Sequence, residues 1–104
     1  MKYNILVENF VYKLENRINS NIKKKNTCWN WTGAKSHGYG HISVLGKMDY
    51  VHRIMYILKH GEIPKNKEID HLCRNRSCCN PDHLEAVTRK ENMRRSSFFN
   101  KSLI

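Results

Sequence analysis

Residues 68–92 of this 104-residue chain concentrate side chains that can bind metal ions. The segment reads EIDHLCRNRSCCNPDHLEAVTRKEN and contains two histidines, three cysteines and several acidic residues. A chain of this length forms one domain with a modest core, and domains near this size often depend on a structural metal. The segment therefore constrains the fold, because the elements around it must bring its ligands together.

The charge of the chain favours a polyanionic partner. Lysine and arginine number 19 against 9 acidic residues, which gives a net charge of +10 at pH 7. This balance favours nucleic acid ahead of an anionic membrane surface, although a basic protein without such a partner can share the composition. No stretch approaches the ~20 apolar residues of a membrane span, and charged residues interrupt the N-terminal segment, so we expect a cytoplasmic protein without a membrane partner.

The hydrophobic pattern predicts a small α+β domain. Residues 5–18 place apolar side chains at helical spacing, and a polar, basic connector follows. Residues 28–50 alternate apolar and polar side chains between glycines, which is typical of short antiparallel strands. Residues 50–60 form the next helix, with Asp49 as a possible cap and Gly61 as its natural end.

The C-terminal part predicts a strand, a loop, a strand and a helix. EIDHL and LEAVT are the strands, RNRSCCNPD is the loop, and a capping box at Thr88–Glu91 begins the helix at about Arg89. We expect a single domain over residues 1–104. Its parts are the N-terminal helix and basic connector (1–27), strands plus a helix (28–66), the strand–loop–strand–helix motif (67–96) and a frayed tail (97–104).

The cysteines favour a structural zinc site. Cys73, Cys78 and His83 offer three ligands within one loop, and Cys28 supplies a fourth from the first predicted strand. Three thiolates and one imidazole make a closed tetrahedral Zn²⁺ site, and cysteines in a reducing compartment bind metal more often than they form disulfides. Cys79 is the rival ligand, but adjacent cysteines rarely bind one ion, so we predict a buried thiol there. The alternative is that all four are free core cysteines.

Three motifs carry a family resemblance. Asp70-His71, His83-Leu84 twelve residues after His71, and Glu91-Asn92 together resemble an HNH endonuclease. More narrowly, they are similar to small phage and homing-type HNH proteins with a ββα-metal motif (His-Me finger). The segments CWNWTG, GYG, VHRIMY and GEIP also resemble that subfamily, so the resemblance covers roughly residues 10–96. It implies a divalent-metal-dependent enzyme that cuts one or both strands of DNA.

The residues suit that chemistry. A neutral His71 can take a proton from water as a general base, while Asp70 and Asn92 offer hard oxygen ligands to Mg²⁺ or Mn²⁺. Neighbours on a strand point to opposite faces, so Asp70 and His71 act together only if the strand ends or bulges there. The alternative is that Asp70 pairs with an arginine and His71 is a core histidine.

One position departs from the family pattern. The middle residue of the motif is usually an asparagine that braces the general base, but His83 stands there in this chain. If His83 binds zinc, His71 needs another brace, for which the backbone fixed by zinc is a candidate. An interpretation in which His71, Asn80 and His83 are the three motif residues fails, because His83 precedes LEAVT and is not on the helix.

Six arginines are expected to contact DNA. They lie in the VHRIMY segment, in the loop RNRSCCNPD and in the last predicted helix. They are Arg53, Arg74, Arg76, Arg89, Arg94 and Arg95. The predicted function is a DNA endonuclease, a monomer or homodimer, from a gene that a phage can supply for action in the host cell. The alternative is a zinc-stabilised nucleic-acid-binding module without cleavage, but such a module needs none of Asp70, His71 and Asn92.

Overall fold

The computed structural model describes the backbone of residues 8–103 and the side chains of residues 10–96. Its elements, in chain order, are α1 (Glu8–Asn19), β1 (Ile22–Lys25), β2 (Cys28–Trp31), β3 (Lys35–Ser36), β4 (Tyr39–Val44), β5 (Lys47–Tyr50), α2 (Val51–His60), β6 (Lys67–His71), a short 3-10 helix (Pro81–His83), β7 (Leu84–Thr88) and α3 (Arg89–Leu103). The strands pair antiparallel as β1–β2, β3–β4–β5 and β6–β7. The predicted small α+β fold is confirmed.

The hydrophobic core lies between α1, α2 and the strands that join them. Its buried members are Leu14, Ile18, Trp31, Ile42, Val44, Val51, Ile54, Ile57 and Cys79. The Trp31 ring lies directly against the backbone of Gly40, where a Cβ atom would come within 2.5 Å of the ring. A glycine is therefore required at residue 40 for the sheet to cover the ring.

Two local predictions at the N-terminal side are wrong. The basic connector contains a strand, β1, whose Lys25 pairs with Cys28 of β2, so a boundary after residue 27 would divide a hairpin. The N-cap of α2 is Tyr50, and its side chain makes no capping hydrogen bond. Asp49 instead accepts a hydrogen bond from the Tyr50 backbone N–H at 2.8 Å.

Other predicted boundaries are close to the observed ones. Gly61 ends α2 at φ 96° and donates its N–H to the Ile57 carbonyl, because glycine tolerates this left-handed conformation. The first part of the predicted N-terminal helix, residues 5–7, lies outside the described residues. At the other end α3 continues to Leu103, seven residues beyond the predicted end of the motif at residue 96, while the side chains from residue 97 onward lie outside the description.

The β6–β7 hairpin and α3 form the predicted strand–loop–strand–helix motif. The register is regular up to the end of β6, where His71 pairs with Leu84 and Asp70 with Glu85. The helix begins at Arg89, and its Glu91 backbone N–H donates to the Thr88 hydroxyl at 3.2 Å, which is one half of the capping box. The end of β6 therefore lies next to both the long β6–β7 loop and α3.

Candidate functional site

Four predicted zinc ligands lie together. Nδ1 of His83 is 3.5 Å from Sγ of Cys78 and 3.7 Å from Sγ of Cys28. All four ligand atoms, including Sγ of Cys73, lie within 4.8 Å of one another. Tetrahedral Zn–S and Zn–N bonds place ligand atoms roughly 3.5–3.8 Å apart. The cluster therefore fits a small tetrahedral ion and can hold a metal such as zinc.

Backbone pairing brings the β6–β7 loop onto β2 and so assembles the cluster. The backbone N–H groups of Trp31 and Cys79 donate to the carbonyls of Ser77 and Trp29, each at 2.9 Å. Oδ1 of Asn30 accepts a further hydrogen bond from the Ser77 hydroxyl. Cys28 opens β2, so this pairing carries its thiol to ligands more than 40 positions later in the chain.

Burial of the thiols indicates that they need a cation to ionise. It raises the pKa of Cys78 to about 12 and also raises the pKa of Cys73. A metal that binds thiolates supplies the positive charge that the protein interior lacks, and it releases the protons as it binds. The donor set therefore matches a structural metal ion better than a set of reactive thiols.

Cys79 lies in the hydrophobic core and is 1% exposed. Its thiol donates to the Trp29 carbonyl at 3.3 Å, and burial raises its pKa to about 12. The metal-capable group found among the described residues does not contain it. The prediction of a buried thiol at this position is confirmed.

Asn80 holds the loop and does not reach the catalytic candidates. Its Nδ2 donates to the Thr27 carbonyl at 2.8 Å, and its Oδ1 accepts from the Asp82 backbone N–H at 3.0 Å. The second bond caps the 3-10 helix that ends with His83. Both ends of the amide are thus used to build the loop, and His83 faces the sulfur atoms.

His71 lies at the end of β6 and is 6% exposed. Its Nε2 is 3.0 Å from the Cys78 carbonyl oxygen. Because a carbonyl can only accept, Nε2 carries the proton, and Nδ1 of a neutral ring is left with a free lone pair. Burial lowers the pKa of His71, against the opposing effects of this hydrogen bond and of Asp70, and so favours the neutral ring.

A second buried histidine lies against His71. The ring centroids of His52 and His71 are 4.7 Å apart, and Tyr39 contacts both rings. Burial lowers the pKa of His52 to about 3, and its Nδ1 has no hydrogen-bond partner within the side chains that the structure describes. The wall behind His71 is therefore aromatic and uncharged.

Asp70 contacts a different set of elements. Its Oδ1 accepts from Nη1 of Arg74 at 3.2 Å, and its Oδ2 accepts from Nη1 of Arg95 on α3 at 3.1 Å. Asp70 is 6% exposed, so the two guanidinium groups compensate the charge of a buried carboxylate. Strand β6 ends at His71, and the side chains of Asp70 and His71 have different hydrogen-bond partners.

Arg95 connects three carboxylates. Besides Asp70, its Nη2 donates to Glu85 at 2.6 Å and its Nε donates to Glu91 at 3.0 Å. The hydrogen bonds raise the pKa of the Arg95 guanidinium. The bond to Glu85 has the largest effect, and the bond to Asp70 has the next largest. Hydrogen bonds from Arg94, which has the larger effect, and from Arg95 lower the pKa of Glu91 to about 2. Two arginines that are expected to contact DNA, Arg74 and Arg95, thus both donate hydrogen bonds to the predicted metal ligand Asp70.

The other expected DNA contacts lie at several places on the surface. Arg53 on α2 is 3.9 Å from Asp49, and Arg94 pairs with Glu91. Arg76 donates to the His37 carbonyl, and its guanidinium lies 5.2 Å from the centroid of the Tyr39 ring. Arg89 is exposed at the first position of α3. Arg76 therefore stands near His71, since Tyr39 contacts both side chains.

The sequence interpretation missed the partner of Asn92. Nδ2 of Asn92 donates to Oε1 of Glu68 at 2.6 Å. Glu68 precedes Asp70 by two positions on β6, so the two side chains share one strand face, which is turned toward α3. The period of two was visible in the sequence and could have identified Glu68.

Comparisons with known proteins agree with these observations. Residues 49–94 match the family model of HNH endonucleases. The chain is 40% identical over 84 residues to "Protein 2.8" of Escherichia phage T7, an alignment that covers 77% of this chain and 57% of that protein. It is also 40% identical over 42 residues to the "Uncharacterized gene 5.3 protein" of Enterobacteria phage T3, with 40% of this chain and 42% of that protein covered.

The chain spans less than two thirds of the length of either phage relative. No solved structure is significantly similar to it. Within the described residues, no helix combines the length and apolar character that crossing a bilayer requires. The family match nevertheless covers α2, the β6–β7 hairpin and the first part of α3, where the candidate residues lie. Over residues 49–94, the part that carries these candidate residues, the chain is thus similar to HNH endonucleases.

Proposed function

We propose that this protein is a divalent-metal-dependent DNA endonuclease in which His71 is the general base and Asp70 and Asn92 hold Mg²⁺ or Mn²⁺. The observation that carries the proposal is the hydrogen bond between His71 Nε2 and the Cys78 carbonyl. Hydrolysis of a phosphodiester needs a group that removes a proton from the attacking water. A neutral imidazole whose Nε2–H is held by a carbonyl presents its Nδ1 lone pair for that task.

In this proposal, Cys78 links the zinc site to the general base. Its thiolate binds Zn²⁺ together with Cys28, Cys73 and His83, while its carbonyl holds the general base. The family places an asparagine at the position of His83 to brace the base. Here a backbone carbonyl that the metal site holds in place can supply the brace, and the His83 imidazole becomes available as a zinc ligand.

Asp70 is suited to bind the catalytic cation. Mg²⁺ supplies charge stabilisation at the scissile phosphate and prefers hard oxygen ligands such as a carboxylate and an amide carbonyl. Two guanidinium groups bind the oxygens of this carboxylate, so a divalent cation has to displace at least one of them. Asp70 and Asn92 together carry one negative charge, so phosphate oxygens and water must complete the coordination.

We infer that Arg74 and Arg95 exchange partners when DNA binds. Guanidinium groups bind phosphate as readily as carboxylate, because both anions match their planar donor geometry. An arginine that moves from Asp70 to a phosphate frees a carboxylate oxygen for the cation. DNA binding and metal binding would then favour each other, and the coupling must be reciprocal.

Supercoiled plasmid provides the test of the proposed function. Purified protein incubated with plasmid and Mg²⁺ is expected to give nicked or linear product, and the same reaction without added Mg²⁺ should give none. Zinc content is measured after both reactions to confirm that they differ only in Mg²⁺. Binding without cleavage under all metal conditions would favour the nucleic-acid-binding module instead.

Arg95→Ala is expected to tighten Mn²⁺ binding to the free protein severalfold, because one of the two cations on Asp70 is removed. The same variant should bind DNA less tightly, with a salt dependence reduced by about one counterion. Isothermal titration of Mn²⁺ and DNA binding at several salt concentrations measure both effects.

Arg94→Ala is the matched control for that experiment. It removes the same charge from the neighbouring position, but among the described residues Arg94 pairs with Glu91 and not with Asp70. Equal changes in Mn²⁺ affinity in the two variants would mean that net charge, and not release of Asp70, is responsible. Unchanged affinity in Arg95→Ala would rule out the exchange.

A further inference from the structure

Glu68 and Asn92 form a short side-chain contact beside the proposed cation site. The distance from Asn92 Nδ2 to Glu68 Oε1 is 2.6 Å, and both residues are partly buried. Glu68 lies on β6 and Asn92 lies in the second turn of α3, so the bond also joins the strand to the helix. It lies on the face of β6 that also carries Asp70.

The chemistry of the contact fixes the orientation of the Asn92 amide. An ionised carboxylate has no hydrogen to donate, so it can bind only the NH₂ end of an amide. Turning the amide over would bring Oδ1 against a carboxylate oxygen, and two acceptors at that distance repel each other. Oδ1 of Asn92 is therefore directed away from Glu68.

We propose that Glu68 is a positioning residue that holds Asn92 with its carbonyl oxygen free to bind the catalytic cation. The inference rests on the proposed function, in which Asn92 is a ligand of that cation. An unrestrained asparagine would present its NH₂ group to the cation for part of the time, and the metal would have to select the productive orientation. Prior fixation by Glu68 removes this cost, and binding of the cation becomes tighter.

The proposal differs from direct ligation by Glu68. A direct carboxylate ligand contributes its own charge and oxygen whether or not Asn92 is present. A positioning residue contributes nothing once Asn92 has been removed. The two roles therefore predict different results for a double variant, even if each single variant weakens metal binding.

The experiment is a double-mutant cycle with Glu68→Ala, Asn92→Ala and the combined variant, made in the full zinc-loaded chain. Mn²⁺ affinity is measured by electron paramagnetic resonance, and plasmid cleavage is measured over a range of Mg²⁺ concentrations. Thermal unfolding and zinc content establish that each variant is folded. We expect Glu68→Ala to weaken Mn²⁺ binding severalfold and to raise the Mg²⁺ requirement, with much of the maximal cleavage rate recovered at saturating Mg²⁺.

The combined variant should bind Mn²⁺ as weakly as Asn92→Ala alone, without a further loss. Glu68→Gln is expected to retain more affinity than Glu68→Ala, because the glutamine carbonyl can still accept from Asn92 Nδ2. Additive losses in the combined variant, or a Glu68→Gln variant as weak as Glu68→Ala, would overturn the positioning role and leave the proposed function in place. If Asn92→Ala binds Mn²⁺ normally, both the ligand assignment and the role of Glu68 are wrong.

Discussion

Under the proposed function, replacing His71 with alanine is expected to lower the rate of DNA cleavage by about 10²–10⁴-fold, the usual contribution of a general base. DNA binding should persist, because the arginines proposed to contact phosphate are unchanged in this variant. Without an imidazole at the end of β6, the attacking water has to lose its proton to solvent. Single-turnover cleavage of plasmid at saturating Mg²⁺ measures the effect on the chemical step directly.

The variant must be shown to be folded, since His71 is buried against Tyr39 and His52. His71→Gln fills more of the same space and should be equally inactive, so a loss shared by both variants does not arise from a cavity. His60→Ala removes an exposed imidazole at the end of α2 and should cleave normally. Cleavage by His71→Gln at a near-normal rate would exclude His71 as the base.

Loss of the structural zinc is expected to unfold the protein and abolish cleavage. Zinc-finger sites of this kind contribute about 10–16 kcal/mol of apparent binding energy, which is comparable with the total stability of about 5–15 kcal/mol of a small domain. Purified protein should contain one zinc ion per chain, and millimolar Mg²⁺ should not displace it, because Mg²⁺ prefers oxygen ligands. Elemental analysis and circular dichroism during chelator titration measure these properties.

Cys73→Ser and Cys79→Ser form a matched pair for this prediction. The first removes a predicted ligand, so zinc affinity, thermal stability and cleavage should fall together. The second changes a core thiol that donates to the Trp29 carbonyl, and a serine hydroxyl can make the same bond. Zinc retained by Cys73→Ser but lost by Cys79→Ser would mean that the ligand set is wrong.

Features of the fold that depend on neighbouring residues could be predicted from the sequence. The Thr88 cap and the end of α2 at Gly61 each arise from hydrogen bonds within a few positions. The strand LEAVT was predicted with its observed limits, since alternating side chains and the following cap define it. The strand in the basic connector was missed because three consecutive lysines give no alternation, and only pairing with β2 makes that segment extended.

The amino-acid sequence specifies which chemical groups are present: three thiols and an imidazole with the spacing of a zinc site, and Asp70, His71 and Asn92 in the order of the family motif. How these groups are held depends on contacts that form only in the folded chain. The Cys78 carbonyl beside His71 has no sequence signature, because every residue has the same backbone carbonyl. Likewise, which arginine binds Asp70 depends on how α3 packs against β6, and a net charge of +10 allows many such pairings.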